Sequence, residues 1–187
     1  MGFLSALFGT KKSQGQNQIV EIDGKKIEIV KSENPIESNY GLKDLSQEHL
    51  DHFKDLLERA QIFIKKYNDS RLPESIYDSR TLDFVLEKWK LNESNDKESQ
   101  EEVIEIIGCA FGQDIVKELN CEWKLLTDEY GTDYTVIHKK YKINGFPFSS
   151  VLKAIEENRN GSLYDIKLVL KKNILDAESG ADFDKRK

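Results

Sequence analysis

The chain has 187 residues, 28 of them Lys or Arg and 34 Asp or Glu, so its formal charge is 28 − 34 = −6. Charged residues make up 33%, above the ~25% of an average globular chain, and the excess of carboxylates argues against binding nucleic acid, which needs Lys and Arg on phosphates. No apolar run approaches the ~18 residues of a membrane span. Two cysteines, Cys109 and Cys121, allow neither a disulfide framework nor a four-thiolate zinc site, and they fit a reducing cytoplasm.

Taken in chain order, residues 1–40 read as an arm. Phe3, Leu4, Leu7 and Phe8 fall on one side of a short helix, and the start lacks the basic segment and apolar length of a signal peptide. A polar linker, Ser13 to Gln18, follows. Ile19-Val20-Glu21-Ile22 and Lys26-Ile27-Glu28-Ile29-Val30 flank Asp23-Gly24, the signature of a β-hairpin. Pairing Ile22 with Ile27 and Val20 with Ile29 gathers the apolar residues on one face and is the expected register.

A single α+β domain is expected over residues 41–175. Leu50, Phe53, Leu57, Ala60, Ile64 and Tyr67 recur every three or four residues, which predicts a helix over 46–67. A second helix opens at Asp78 or Ser79 and carries Leu82, Val85, Leu86 and Trp89. The apolar-free run Asn92 to Ser99 is a loop. A third helix, Gln100 to Leu119, is apolar more than halfway round and belongs in the centre of the domain. Cys121 to Leu126 and Tyr134 to His138 then read as an antiparallel pair of strands around a turn, Thr127 to Asp133. A third strand is expected at Tyr141–Ile143 or Phe146–Phe148, with Asn144-Gly145 as a tight turn between them. Ser149 or Ser150 caps a short helix to about Glu157. Leu163 to Leu175 is assigned to helix on its length, and residues 176–187 to a disordered tail.

Few residues have a pattern that demands chemistry. Gly108 and Gly112 bracket Phe111 inside the third helix, where each glycine costs ~1 kcal/mol relative to Ala. They lack phosphate-loop spacing and do not follow a strand, so close packing explains them better. Cys109 lies on an apolar helix without an activating neighbour and reads as a buried thiol rather than a nucleophile served by His138. His49 and His52 share one side of the first helix, but no spacing supplies further metal ligands. The carboxylates Asp128, Glu129 and Asp133, with Tyr130 and Gly131, crowd the turn that follows Glu122-Trp123. Turn chemistry accounts for Asp128, Gly131 and Asp133, and this loop is also the best candidate contact surface.

The order of Leu82, Val85-Leu86, Trp89, Gly108-Cys109-Ala110-Phe111-Gly112, Glu122-Trp123, Asp128 to Asp133 and Phe146-Pro147 resembles the bacterial domain-of-unknown-function family 3806. The resemblance runs from about Leu50 to Leu170. It implies a small cytoplasmic α+β protein and assigns no activity, cofactor or catalytic residue. Two functions are compatible with these residues. The first is a non-enzymatic module, of the immunity type or another regulatory kind, that binds a protein partner. The second is a small hydrolase or ligand-binding enzyme using Glu122, Asp128 or His138. The first is expected, with no metal or cofactor.

Overall fold

The computed structural model describes residues 15–22, 25–32, 41–68, 77–128, 131–157 and 161–180. Three strands, β1 (Gly15–Ile22), β2 (Lys25–Ser32) and β3 (Gly41–Lys43), precede three helices, α1 (Gln47–Tyr67), α2 (Ser79–Lys90) and α3 (Gln100–Glu118). The hairpin strands β4 (Cys121–Asp128) and β5 (Gly131–His138) come next, then β6 (Asn144–Gly145), α4 (Pro147–Glu156) and α5 (Ser162–Glu178). The fold is α+β: five helices pack with a four-stranded antiparallel sheet of order β3-β4-β5-β6, while β1 and β2 pair with each other. Among the described residues, no helix is long and apolar enough to cross a membrane.

The helices begin where their caps stand. The Ser46 hydroxyl accepts the His49 N–H, and His49 Nδ1 accepts the Ser46 N–H at 3.1 Å, so this capping box closes with an imidazole instead of Glu or Gln. Asp78 and Ser99 cap α2 and α3 through the N–H groups of Arg80 and Glu102. As its composition requires, α3 is central: Val103, Ile107, Cys109, Ala110 and Phe111 are wholly buried. Each large apolar side chain in such a position contributes about 1.5–3 kcal/mol of transfer free energy.

Polar contacts fix the helices against one another. Buried Asp114 on α3 accepts the Ser79 N–H at 3.1 Å and pairs with Lys167 of α5 at 2.7 Å. Burial raises the Asp114 carboxyl pKa, Lys167 opposes the rise, and Asp78 adds to it. Gly161 supplies no side-chain cap for α5, so Asp83 of α2 takes that role from a distance, accepting the Leu163 and Tyr164 N–H groups at 3.0 and 2.9 Å.

Several expectations need correction. The first hairpin pairs Ile22 with Lys25 and Val20 with Ile27, because a two-residue Asp-Gly connection suits the strand twist best. The shift is two positions, so the alternation survives. The β4–β5 connection is also shorter than the expected turn. Thr127 pairs with Thr132 and Leu126 with Asp133, which leaves only Glu129-Tyr130, outside the described residues. β-Branched threonines favour the ladder, and their hydroxyls meet at 2.9 Å.

Asn144-Gly145 is not a tight turn but the edge strand β6, paired with Ile137 and Val136. The chain reverses earlier, where the His138 N–H donates to the Ile143 carbonyl at 2.8 Å. Neither Ser149 nor Ser150 caps α4, which starts at Pro147, a residue whose fixed φ and missing N–H suit a first helical position. At the other end α5 continues through Glu178, three residues beyond the expected domain boundary. Ile174 and Ala177 are buried there and hold the last turns against the core. The expected helix at residues 3–8 lies outside the described residues.

Candidate functional site

Pairing in the β4–β5 hairpin sorts its side chains into two sets, since directly opposed residues share a face. Trp123 and Leu125 lie with Val136 and Tyr134, while Glu122, Lys124 and Leu126 lie with Ile137, Thr135 and Asp133. The first set meets the helices. Trp123 is part of an aromatic cluster: its ring stands 4.8 Å from that of Phe53 at 71° and 6.0 Å from that of Phe148. Tyr134 joins at 4.8 Å from Phe53 and 5.6 Å from both Phe148 and His49.

The glycine pair makes room for this cluster. A Cβ on Gly112 would lie 2.0 Å from Trp123 Cζ2 and 3.0 Å from Pro147 Cγ, and one on Gly108 would lie 3.0 Å from Phe148 Cα. Gly108, Phe111, Gly112 and Pro147 are all buried. They form the seat on which α4 and β4 meet α3. Trp123, named with the acidic loop on sequence grounds, faces this interior.

The remaining loop residues separate into pairs. Glu122 lies 3.4 Å from the Lys124 ammonium, which also pairs with Asp44 just beyond β3. Asp128 and Gly131 close the hairpin opposite each other, and Gly131 has φ 133°, a conformation that favours glycine. Asp133 is half-buried, and burial raises its carboxyl pKa. The Tyr134 N–H and the Ser149 hydroxyl, 3.5 Å away, pull the other way, while Asp128 pushes it further up. Among the described residues no Lys or Arg forms an ion pair with Asp133. The Tyr134 hydroxyl is raised as well, first by burial and then by charges that include Glu48 and Asp133. This end of the sheet therefore carries a negative field. Glu48, outside the loop, adds to it, whereas the Ser149 hydroxyl donates to the Asp133 carboxylate and offsets it. By residue type Ser149 is a helix cap, and nothing in the spacing of Glu48 points to this end of the sheet.

The candidates for nucleophilic or metal chemistry are otherwise occupied. Burial pushes the Cys109 thiol up to about 12, and its Sγ donates to the Phe53 carbonyl at 3.7 Å. His138 is buried and stacked on Tyr141, and its Nδ1 accepts the Lys140 and Tyr141 N–H groups at 3.2 and 3.1 Å. That nitrogen organises a turn. His49 closes the α1 cap, whereas His52 is exposed. Among the described residues no three His, Cys, Asp or Glu side chains converge to hold a metal ion.

No curated protein matches this sequence. A crystal structure from Bacteroides thetaiotaomicron VPI-5482 is similar in fold, with a TM-score of 0.50 at 10% identity over 88% of this chain and 69% of that one. At that identity the likeness speaks to architecture alone. The family resemblance is more local, and α1 lies outside it: residues 79–166, from the first residue of α2 into the first turns of α5, match the family described as Domain of unknown function (DUF3806).

Proposed function

We propose that this chain is a small cytoplasmic bacterial binding protein, of the immunity type or another regulatory kind, that catalyses nothing and engages a basic protein partner through the acidic end of the β4–β5 hairpin. One observation carries the reading: the Asp133 carboxylate is half-buried beside the Asp128 charge and has no cationic partner among the described residues. An incoming Lys or Arg relieves that situation, and such complementarity steers and orients a partner. Tyr130, beside Glu129 in the two-residue connection, supplies an aromatic anchor of the kind that dominates interface energetics.

The test is affinity capture from a bacterial lysate with the full chain and with a Glu129→Ala/Tyr130→Ala variant of unchanged melting temperature. A stoichiometric basic protein should be retained by the parent chain and weakened by about 2 kcal/mol or more in the variant. Equal retention removes the hairpin end from the interface. A second reading, a hydrolase using Glu122 or Asp128, draws support from the raised Asp133 carboxyl, since general acids need such a shift. Hydrolysis of a small ester or amide that disappears with Glu122→Gln would put that reading first.

A further inference from the structure

The capping box of α1 closes with an imidazole, and that changes what the box can do. A Glu or Gln at the third helical position is the ordinary partner of a capping Ser, and it accepts a hydrogen bond throughout the neutral range. Imidazole is the side chain that changes charge between about pH 5 and 8. His49 Nδ1 accepts the Ser46 N–H at 3.1 Å and lies 3.0 Å from the Ser46 hydroxyl. A backbone N–H only donates, so Nδ1 turns a lone pair to Ser46 and the ring proton belongs on Nε2. The Ser46 hydroxyl in return accepts the His49 N–H.

The same ring touches the sheet. Its centroid stands 5.6 Å from that of Tyr134 on β5, edge to face at 83°, and Tyr134 continues into Phe53 and Phe148. His49 is half-buried there. On its own helix the charged or titratable neighbours are Glu48, Asp51 and His52, all exposed, and Asp51 accepts from the Gln47 amide. Before the cap, Lys43 is exposed and Asp44 pairs with Lys124 of β4. Across the ring contact stand Tyr134 and, next to it on β5, Asp133. Cys109 and Glu105 of α3 also act on the Tyr134 hydroxyl. Burial lifts that hydroxyl and the Cys109 thiol further above the neutral range. Asp133 is the group that burial lifts towards it.

We propose that His49 is a pH-sensitive latch: neutral, it ties the Ser46 backbone and the start of α1 to the Tyr134 side of the sheet, and protonated at Nδ1 it lets Ser46 go. The protonated Nδ1 becomes a donor. It still reaches the Ser46 hydroxyl, but the Ser46 N–H now faces another N–H and loses its acceptor. The added positive charge stands in the first turn of α1, where the helix dipole favours anions. Both effects act in one direction, so the box is closed above the titration of this imidazole and open below it. The first intrahelical bond, from the Leu50 N–H to the Ser46 carbonyl at 3.1 Å, then frays. The latch does not rest on the partner-binding reading of the hairpin.

Two-dimensional NMR of the full chain, titrated from about pH 8 to 5, tests this. In the parent the His49 ring signals, the Ser46 amide and the Tyr134 ring should move together with one midpoint. Exchange of the Leu50 amide, corrected for the intrinsic effect of pH, should speed up about threefold to tenfold below that midpoint, as loss of a helix cap implies. His49→Gln supplies an acceptor that does not titrate and should abolish the transition, with Leu50 exchange slow at both ends of the range. His52→Gln and Asp133→Asn, which remove the other titrating candidates, should leave the transition in place. Circular dichroism confirms that each variant is folded. A His49 ring that does not titrate in this range overturns the inference, as does a Ser46 amide that stays still while the ring titrates. So does a transition that survives His49→Gln, or one that His52→Gln or Asp133→Asn removes.

Discussion

Replacing Gly112 with Ala adds one methyl group at the most crowded point of the fold. The new Cβ would sit 2.0 and 2.1 Å from Trp123 Cζ2 and Cη2 and 3.0 Å from Pro147 Cγ, where carbon atoms prefer ~3.5–4.0 Å. The indole has to retreat by more than 1 Å, and Phe53 and Phe148 stand in its way. Overpacking of this kind typically costs ~1–3 kcal/mol, and the severity of the overlap places Gly112→Ala at or above the upper end. Ala recovers about 1 kcal/mol of helix propensity, so the net loss is about 2–3 kcal/mol. For a domain of this size that lowers Tm by roughly 4–12 °C, read by circular dichroism at 222 nm. The sharper assay is a double-mutant cycle with Trp123→Phe, which removes the clashing atoms. The double variant should recover ~1–2 kcal/mol relative to additivity. An unchanged Tm for Gly112→Ala, or strict additivity in the cycle, would refute the packing role of this glycine.

Two further outcomes follow from buried polar groups. Asp114→Asn leaves the Lys167 ammonium, whose side chain is only 13% exposed, with Asp78 at 4.0 Å as its remaining carboxylate, and should cost ~1–3 kcal/mol in urea denaturation at pH 7. Because the folded Asp114 pKa lies above its ordinary 3.8, the native state binds this proton more tightly. The parent chain should therefore gain stability relative to the Asn variant as pH falls from above the folded pKa towards 3.8, and a relative loss over that window contradicts the assignment. His138→Phe preserves a ring to stack on Tyr141 but removes the acceptor of two backbone N–H groups. It should cost about 1–3 kcal/mol, and proton exchange at the Tyr141 amide should accelerate by NMR.

Local chemistry made much of this fold readable from the chain alone. The 3.6-residue spacing of Phe53, Ala60 and Ile64, stopped by Ser46 and Asn68, specifies α1 wherever it packs. An apolar majority around α3 can only be buried, and Cys109 with it. Gly131 at positive φ and the two strands either side of it follow from residue type. Such features depend on neighbours within a turn or two.

What the chain alone left open depends on groups far apart in sequence. Asn144-Gly145 favours a turn in isolation, but the exposed edge of β5 offers backbone partners that hold it extended. Ser149 is a good cap by type, yet Pro147 opens α4 two residues earlier and the Ser149 hydroxyl serves Asp133 instead. Asp83 looks like an ordinary polar residue on α2 until α5 places two uncapped N–H groups against it, 80 and 81 positions away. The same holds for the acidic hairpin end: residue types announced the carboxylates, but only the packing around β5 decided which of them faces Ser149 and forms no ion pair with a Lys or Arg among the described residues. Electrostatic free energy depends on distance and burial in space, and neither quantity exists along a one-dimensional sequence.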